Sequence, residues 1–456
     1  MEKLKEECGV FGIISPETKT VGNITYFGLY ALQHRGQESC GIAVSEGGHI
    51  RSFKNTGLVS EVFNENILST LQGKIAIGHV RYSTSGGKMS VENAQPLVMD
   101  FRFGNLALAH NGNITNSDKL KKELESQGAI FKSDSDSEVL VHLIARSKKD
   151  NFTQALIEGL NRLEGAFSMV IINNGNLYAL KDKNSIRPLC IGTLRKKIVF
   201  SSESCALDMI GAKLIRELKP GEVIKSDIKG DYESFFYTEE TEKNLCSFEY
   251  IYFARPDSEI FEKSVHKIRK SFGAKLSERS DVKGDVVIPV PDSGISAALG
   301  FSEASKIPYD KGIIRNHYIG RTFIQPAQEL RDMKVKMKLN PVPDVVRGKK
   351  VIVIDDSIVR GTTSRKIVRL LRNAGAKEIH FKVSSPMILS SCSLGIDTPN
   401  DNELIANTMD LERLTKELEA DSLQFLTTED LKECISGKEH CMRCFLKKGE
   451  KYAKDL

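Results

Sequence analysis

The chain has 456 residues, of which 40% are hydrophobic and 27% charged, values typical of a folded globular protein with two or three domains. The formal net charge is only +5 and no dense basic segment is present, which argues against nucleic-acid binding and favours small anionic ligands. No apolar stretch reaches the length of a membrane span and the charged start MEKLKEE is unlike a signal peptide, so we expect no membrane partner and a cytoplasmic location.

From about residue 8 to about residue 225, short β-rich segments alternate with turns and helices. Strands are predicted at CGVFGII, CGIAVSE, KIAIGHVRYST, LALAHNGNIT and FSMVIINNGNLYALK, and helices at SDKLKKELESQG and SEVLVHLIARS. The sequence NNGN at 173–176 predicts a hairpin turn. This pattern is typical of a layered α+β or α/β domain rich in antiparallel hairpins.

Four places in this half carry candidate functional residues, namely Cys8, Arg81, Asn111 with Gly112, and Asp136. Each also has an ordinary interpretation. Cys8 could be a buried core residue and Arg81 a surface salt-bridge partner. An Asn-Gly pair is a common hairpin turn, and an aspartate before a helical pattern is a common N-cap.

The segments CGVFGI, HVRYST, AHNGNIT and SDSDSE resemble, in order and context, the N-terminal-nucleophile glutamine amidotransferases. The resemblance implies an αββα sandwich in which Cys8 attacks the side-chain amide of glutamine and forms a thioester. It implies that Asn111 and Gly112 donate hydrogen bonds to the oxyanion. It also implies that Arg81 binds the α-carboxylate of glutamine and Asp136 its α-ammonium group.

In that family the cysteine is the first residue of the mature chain, and its free α-amino group can act as a general base. Removal of Met1 alone cannot expose Cys8, so we expect residues 1–7 to be a propeptide that is cleaved after Glu7. Arg35 in LQHRGQES also matches the family, and we expect it to be structural.

A polar, acidic segment at about 226–244 predicts a connector, and beyond about residue 285 the pattern changes. The strands DVVIPVP, KGIIRN, KVIVIDD and EIHFKVSS alternate with helices, which predicts a parallel, doubly wound sheet. The tail, 401–456, is charged and mainly helical by pattern. We therefore expect two domains after the propeptide, at 8–238 and 239–456.

The most informative segment is VIVIDDSIVRGTTS, residues 351–364. A buried strand ends at Asp355 and Asp356, and a glycine with three hydroxyl residues precedes a helix that Gly375 is expected to end. Such a junction turns backbone N–H groups and a helix dipole towards an anion. The two acids suit a ribose diol or magnesium, and the loop suits a 5′-phosphate. An ordinary strand–helix junction is the alternative.

The same segment resembles the phosphoribosyl pyrophosphate (PRPP) motif of type I phosphoribosyltransferases. The resemblance implies PRPP contacts from Asp355, Asp356, Ser357, Arg360, Gly361, Thr362, Thr363 and Ser364. VPDSG at 290–294 resembles the pyrophosphate loop, and Ser293 with the two acids is implied to hold one magnesium ion per subunit. YIGRTF resembles the loop that closes over PRPP and supplies Tyr318, Arg321 and Thr322. A simple βα turn and an exposed basic loop are the alternatives for these two segments.

The chain has nine cysteines, and two of them form a CxxC pair, Cys441 and Cys444. Zinc, redox activity and chance all remain open for a lone CxxC. With Cys246 and Cys392, the pair resembles the iron–sulfur subgroup of amidophosphoribosyltransferases, which implies one 4Fe–4S cluster per subunit, although four thiolates also suit structural zinc. We expect the other cysteines apart from Cys8 to be buried or incidental, and these are Cys40, Cys190, Cys205 and Cys434.

From about residue 8 to about residue 445 the chain resembles amidophosphoribosyltransferases. The resemblance implies a glycosyltransferase that hydrolyses glutamine and channels ammonia to PRPP, forming 5-phosphoribosylamine in the first step of de novo purine biosynthesis. It also implies purine-nucleotide inhibitors and a homotetramer. Two alternatives stay open: a glutaminase that serves another acceptor, and a regulator that senses PRPP, although no helix-turn-helix pattern is present.

Overall fold

Two antiparallel sheets build the N-terminal half of the computed structural model, which describes residues 8–17, 19–82, 90–316, 339–436 and 439–447. The strands of this half are β1 (Gly9–Ile14), β2 (Ser39–Glu46), β3 (His49–Thr56), β4 (Ile75–Arg81), β5 (Leu97–Phe101), β6 (Gly104–Ile114), β7 (Gly165–Asn173), β8 (Asn176–Lys181), β9 (Cys190–Leu194), β10 (Lys197–Ser201), β11 (Lys213–Glu217), β12 (Glu222–Ser226) and β13 (Tyr232–Phe236). A seven-stranded sheet has the order β11-β9-β10-β1-β4-β2-β3, and a six-stranded sheet the order β13-β12-β8-β7-β6-β5.

The two sheets pack face to face because their strands are apolar on both sides. In β1, Val10 joins the core between the sheets, whereas its neighbour Phe11 packs under the outer helices. The helices of this half are α1 (Val21–Ala31), α2 (Val59–Val62), α3 (Glu65–Thr70), α4 (Ser117–Ser126), α5 (Glu138–Arg146), α6 (Phe152–Leu160) and α7 (Ser204–Met209). The predicted αββα sandwich is confirmed, and so is the hairpin turn, in which Asn174 and Gly175 both have positive φ.

The C-terminal half is built on a parallel sheet of the order β17-β20-β21-β22. Its strands are β14 (Leu245–Cys246), β15 (Glu259–Ile260), β16 (Lys263–Ser264), β17 (Val286–Pro289), β18 (Ile313–Arg315), β19 (Leu339–Pro341), β20 (Lys350–Asp355), β21 (Glu378–Val383), β22 (Ser422–Phe425) and β23 (His440–Cys441). Its α-helices are α8 (Val265–Glu278), α9 (Ile295–Ser305), α10 (Pro343–Val346), α11 (Thr362–Asn373), α12 (Ile405–Thr408), α13 (Leu411–Glu417) and α14 (Thr428–Ile435).

Helices cover both faces of this sheet, as the doubly wound pattern predicts. Neighbouring side chains of β20 pack on opposite faces of the sheet. Ile352 packs towards α8 and α9, and Val353 packs towards α11. Helices α8 and α9 approach closely, because a Cβ at Gly273 would lie only 1.8 Å from the carbonyl oxygen of Ala297.

Two details of the C-terminal half differ from the expectation. The tail is not only helical, since β22 adds the fourth strand of the parallel sheet. The segment KGIIRN forms a strand, but β18 pairs antiparallel with β19 in a separate two-stranded ribbon. Strands β18 and β22 have only three and four residues, so their pairing depends on tertiary contacts that periodicity does not reveal.

The two halves share one hydrophobic core. Ala166 and Ile186 of the N-terminal half pack with Leu245, Phe248 and other apolar residues of the C-terminal half. A one-turn π-helix, Glu249–Phe253, lies at this junction. Among the described residues, no helix is long and apolar enough to cross a membrane.

Candidate functional sites

Cys8 lies at the start of β1, beside the end of β4. The half-buried thiol donates a hydrogen bond to the carbonyl oxygen of Tyr82 at 3.6 Å. Burial raises the pKa of the Cys8 thiol, Arg81 and Arg35 oppose this rise, and Asp136 adds to it. The structure therefore brings the predicted nucleophile together with both residues that were predicted to bind glutamine.

Asn111 and Gly112 lie inside strand β6, so the hairpin-turn interpretation is wrong. Gly112 has φ +141°, and a Cβ there would lie 2.0 Å from the carbonyl oxygen of Ala166, which explains the glycine. Asn111 is 1% exposed, and its side-chain oxygen and nitrogen have no hydrogen-bond partner among the described residues. A buried amide without a partner costs free energy, which is expected of a group kept ready for a ligand.

Asp136 precedes helix α5 but does not cap it, because the N-cap position is occupied by Ser137. Its Oδ2 instead accepts a hydrogen bond from the backbone N–H of Ile114 at 2.8 Å. Burial alone would raise the pKa of Asp136, but nearby His110 and the hydrogen bonds from Ile114 and Ser137 hold it below its ordinary value. Asp136 is thus kept ionised, as recognition of an ammonium group requires.

Arg35 holds the backbone of Cys8 in place. The sequence indicated only that Arg35 is structural and did not reveal this contact. Its Nε donates to the backbone oxygen of Cys8 at 3.0 Å. Its guanidinium also contacts Glu203 at 2.6 Å and Glu249 at 2.7 Å, and all three side chains are fully buried. Burial would lower the pKa of Arg35, but the two carboxylates raise it well above its ordinary value. Because Glu249 belongs to the C-terminal half, this ion network joins the two halves directly beneath Cys8.

The second site lies at the carboxyl ends of the adjacent strands β17 and β20. The peptide between Pro291 and Asp292 is cis, and Gly294 begins helix α9, where a Cβ would lie 2.4 Å from the carbonyl oxygen of Ile354. Ser293 donates a hydrogen bond to Asp356 Oδ1 at 2.5 Å, so the VPDSG loop directly contacts the acidic pair. The two predicted loops therefore form one surface.

Asp355 and Asp356 are 1% and 0% exposed, and the Ser357 hydroxyl donates to Asp356 Oδ2 at 2.6 Å. A narrow cleft beside them is lined by Asp355, Ser357, Ile358, Val359, Gly361, Thr363 and Ser364. Gly361, with φ +72°, is the N-cap of helix α11, so the first N–H groups of that helix open towards this cleft. Arg360 is turned to one side, where its Nε donates to Glu403 at 3.0 Å.

The remaining predicted phosphoribosyl residues, Tyr318, Arg321 and Thr322, lie outside the described residues. The same holds for the expected propeptide, 1–7.

The four cysteines of the expected cluster come from three distant segments and meet at the junction of the two halves. Cys246 and Cys441 are paired residues of the parallel strands β14 and β23. A hydrogen bond joins the thiols of Cys392 and Cys444. It lowers the pKa of Cys392 and raises the pKa of Cys444. Arg187 adds positive charge beside Cys246, Cys392 and Cys441. Of the other cysteines, Cys40, Cys190 and Cys205 are buried and Cys434 is half-buried, as expected.

Both donor sets suit the groups expected there, although the described residues contain no group of three His, Cys, Asp or Glu side chains arranged to hold a metal ion. A serine hydroxyl and two carboxylates are hard oxygen ligands of the kind that magnesium prefers. Four cysteine thiols are the ligand type of an iron–sulfur cluster.

Two known families match separate parts of the chain. Residues 79–209 match a family described as a glutamine amidotransferase domain. Residues 258–385 match a family described as a phosphoribosyl transferase domain. The first match contains Arg81, Asn111 and Asp136, and the second contains the VPDSG loop and the acidic pair.

Similar proteins match over nearly the whole chain. An amidophosphoribosyltransferase of Methanocaldococcus jannaschii is 47% identical over 453 residues, which cover 96% of each chain. An amidophosphoribosyltransferase of Bacillus subtilis is 48% identical over 449 residues, covering 97% of this chain and 94% of the relative. A solved structure described as glutamine PRPP amidotransferase from B. subtilis complexed with ADP and GMP superposes with a TM-score of 0.92 at 46% identity, covering 98% of both chains.

Proposed function

The chain belongs to the amidophosphoribosyltransferase family, and we propose the roles of its residues in glutamine-dependent amidotransfer to PRPP, the reaction of this family in purine biosynthesis. The observation that carries the proposal is that one chain holds a thiol near the charges of Arg81 and Asp136 and, in its other half, an acidic pair beside the N-terminus of a helix.

In the glutamine half-reaction, Arg81 and Asp136 bind the α-carboxylate and α-ammonium groups of glutamine. The Cys8 sulfur attacks the amide carbon, and Asn111 with the Gly112 N–H stabilises the oxyanion. The carbon–nitrogen bond then breaks, ammonia leaves with the proton it needs, and water hydrolyses the thioester to glutamate. The unpartnered, buried amide of Asn111 supports its role.

This chemistry needs a base, because burial makes the Cys8 thiol harder to ionise. A free α-amino group on Cys8 would serve, and it requires removal of residues 1–7. N-terminal sequencing of active protein should begin at Cys8. Active protein that begins at Met1 would contradict this part of the proposal.

In the phosphoribosyl half-reaction, the VPDSG loop receives the pyrophosphate, and the backbone N–H groups after Gly361 receive the 5′-phosphate. The hydroxyl residues implied to contact PRPP are Ser357, Thr362, Thr363 and Ser364, and the basic residues are Arg321 and Arg360. Ammonia attacks the anomeric carbon, and the bond from this carbon to the pyrophosphate oxygen breaks. Ser293, Asp355 and Asp356 would hold magnesium, which supplies charge neutralisation for the departing pyrophosphate.

Ammonia passes between the two sites through the interior of the protein. The shared hydrophobic core at the junction of the two halves supports this route, because an apolar interior excludes the water that would protonate ammonia. The end of the last strand of the sandwich at Phe236 supports a domain boundary at 238 and 239.

The four converging cysteines hold a structural 4Fe–4S cluster that fastens the tail to the rest of the C-terminal half. Purified protein should contain about four iron and four sulfide ions per chain, and Cys441→Ser should remove them. Cys434→Ser, which alters a half-buried cysteine outside the set, should not. Zinc without iron would contradict this assignment.

Purine nucleotides are proposed inhibitors, since the B. subtilis structure is described as a complex with ADP and GMP. A homotetramer is the proposed assembly, and sedimentation velocity would test it.

The decisive experiment measures glutamate and pyrophosphate release by processed protein with magnesium, with and without PRPP. We expect PRPP to stimulate glutamate release and the two products to form one to one. Glutamate release that ignores PRPP would indicate a glutaminase with another acceptor. PRPP binding without any glutamate release would indicate a PRPP-sensing regulator.

A further inference from the structure

A short loop of the C-terminal half, residues 393–395, lies directly behind the strand that carries Asn111 and Gly112. The side-chain nitrogen of Asn113 donates to the carbonyl oxygen of Ser393 at 2.9 Å. Gly395 has φ +108°, and a Cβ there would lie 3.1 Å from the carbonyl carbon of Gly112 and 3.3 Å from the backbone nitrogen of Asn113. The loop backbone thus packs against this strand with no room for a side chain between them.

Gly112 is consequently packed against the backbone of two other segments. A Cβ at Gly112 would lie 2.0 Å from the carbonyl oxygen of Ala166, in the neighbouring strand β7, and Gly395 lies against the carbonyl carbon of Gly112. The position of Gly112 is therefore determined jointly by its own sheet and by the C-terminal half.

Arg187 contacts the loop on the side that faces this strand, because a Cβ at Gly395 would lie 2.8 Å from Arg187 Nη2. This arginine is 1% exposed, donates a hydrogen bond from Nη2 to the carbonyl oxygen of Leu394, and lies with Nη1 3.9 Å from Glu249. Its own backbone oxygen accepts a hydrogen bond from Ser168, which is paired with Asn111 in the sheet. The loop, Arg187 and the strand that carries Asn111 thus form one closed set of contacts.

We propose that residues 393–395 position the oxyanion donors Asn111 and Gly112, so that the C-terminal half completes the glutamine site. This inference rests on the proposed roles of Asn111 and Gly112. Oxyanion donors act only when they are held at the correct distance before reaction, and small displacements of such groups reduce the rate strongly. Ser393, Gly395 and Arg187 are accordingly positioning residues, since none of them needs to touch glutamine.

The test uses processed, full-length protein and measures kcat and KM for glutamine together with PRPP amination by added ammonia, which bypasses Cys8. Asn113→Ala should lower kcat for glutamine roughly tenfold and leave KM within about twofold. Asn113→Asp should lower kcat further, because its carboxylate would face the carbonyl of Ser393. Gly395→Ala should lower kcat roughly a hundredfold, since its methyl group would meet Arg187 Nη2 and the carbonyl carbon of Gly112 and so shift the loop against the strand.

Ammonia-dependent amination and alkylation of Cys8 by iodoacetamide should not change in these variants, because neither reaction uses the oxyanion donors. Asn116→Ala is the matched control for Asn113→Ala, since Asn116 also donates to a carbonyl, but to that of Arg162 at 2.9 Å and not to the loop. Gly128→Ala is the control for Gly395→Ala, because Gly128 has φ +82° and no atom lies within 4 Å of its Cβ position.

Asn111→Ala tests the oxyanion role of Asn111 separately from the positioning role of residues 393–395. If Asn111→Ala leaves kcat unchanged, its oxyanion role is wrong and the inference is overturned with it. If Asn111→Ala lowers kcat but the Asn113 and Gly395 variants match their controls, only the positioning role is overturned. A parallel loss of ammonia-dependent amination would show a general structural effect and would also overturn it.

Discussion

The glutamine site and the phosphoribosyl site are held in place by different kinds of contact. Beneath Cys8, a fully buried arginine joins two buried carboxylates, one from each half of the chain. At the phosphoribosyl site, serine hydroxyls hold Asp356 at the edge of a sheet, beside a cleft lined by backbone and small side chains. The difference follows from the substrates. Glutamine must be aimed at one sulfur atom by a rigid frame, whereas PRPP brings its own charges and completes its site when it binds.

Replacing Cys8 should separate the two sites most sharply. We expect Cys8→Ala to reduce glutamine-dependent amination by roughly four orders of magnitude or more, because no other group can form the thioester. Amination by added ammonia should continue at the normal rate. Assays with each nitrogen source check this, and loss of both activities would show that the sites are not separable. Cys40→Ala, which alters a buried cysteine of the same half, is the control.

Replacing Asp356 should have the converse effect. Asp356→Asn keeps the shape of a side chain that is 0% exposed but removes its charge, so amination with either nitrogen source should fall roughly a hundredfold. Glutamine hydrolysis measured without PRPP should stay within about twofold of the normal rate. Asp344→Asn, at an exposed acid in the first turn of α10, should change neither activity. Unaltered amination in Asp356→Asn would remove this acid from the proposed site.

The fold and the ligand-facing residues could be predicted from the sequence because their signals are local. Strand alternation, the NNGN turn and the strand–DD–GTTS–helix junction each lie within a few residues. No single spacing relates Cys8, Arg81 and Asp136, and they were predicted to act together only because their short segments resemble a known family; the structure places the charges of Arg81 and Asp136 near Cys8. The ordinary interpretation of Asp136 as an N-cap failed because its carboxylate bonds to a strand 22 residues away in sequence.

The supporting residues could not be predicted in the same way. Arg35 meets Glu249 across 214 residues of sequence, and Asn113 meets Ser393 across 280. Nothing in the composition of either segment indicates the other, since both contacts depend on how the two halves pack. The strand β22 was missed for a related reason, because its pairing with β21 comes from tertiary structure.

Weakening the junction should show that the glutamine site depends on the C-terminal half. Glu249→Gln leaves Arg35 buried with one charged partner fewer. We expect the free energy of unfolding to fall by roughly 3 kcal/mol, because an incompletely compensated buried charge is costly. We also expect kcat for glutamine to fall roughly tenfold, because Arg35 holds the Cys8 carbonyl. Urea-induced unfolding and steady-state kinetics measure the two effects.

The control for Glu249→Gln is Glu412→Gln, which removes an exposed pair with Lys416 on helix α13. Exposed pairs of this kind contribute little, so we expect neither stability nor activity to change measurably. A Glu249→Gln protein that behaved like this control would show that the junction does not support Cys8.

The smallest expected effect concerns the ionisation of Cys8 itself. Burial raises the pKa of this thiol, and Asp136 raises it further, so at neutral pH it is less ionised than a free cysteine. Its alkylation by iodoacetamide in the unprocessed chain should therefore keep rising at pH values where a free cysteine is already ionised. Mass spectrometry of the peptide that contains Cys8, over a pH series, gives this rate.

Asp136→Asn removes a negative charge near the sulfur, which lowers the pKa of Cys8, so alkylation at pH 8 should become roughly twofold faster. A slower reaction in Asp136→Asn would contradict this sign. The direction matters for the mechanism, because a carboxylate that binds glutamine also makes the nucleophile harder to ionise. The charge of Arg35 beneath Cys8 favours the thiolate but does not offset burial, so the proton must pass to a base that only processing at Cys8 creates.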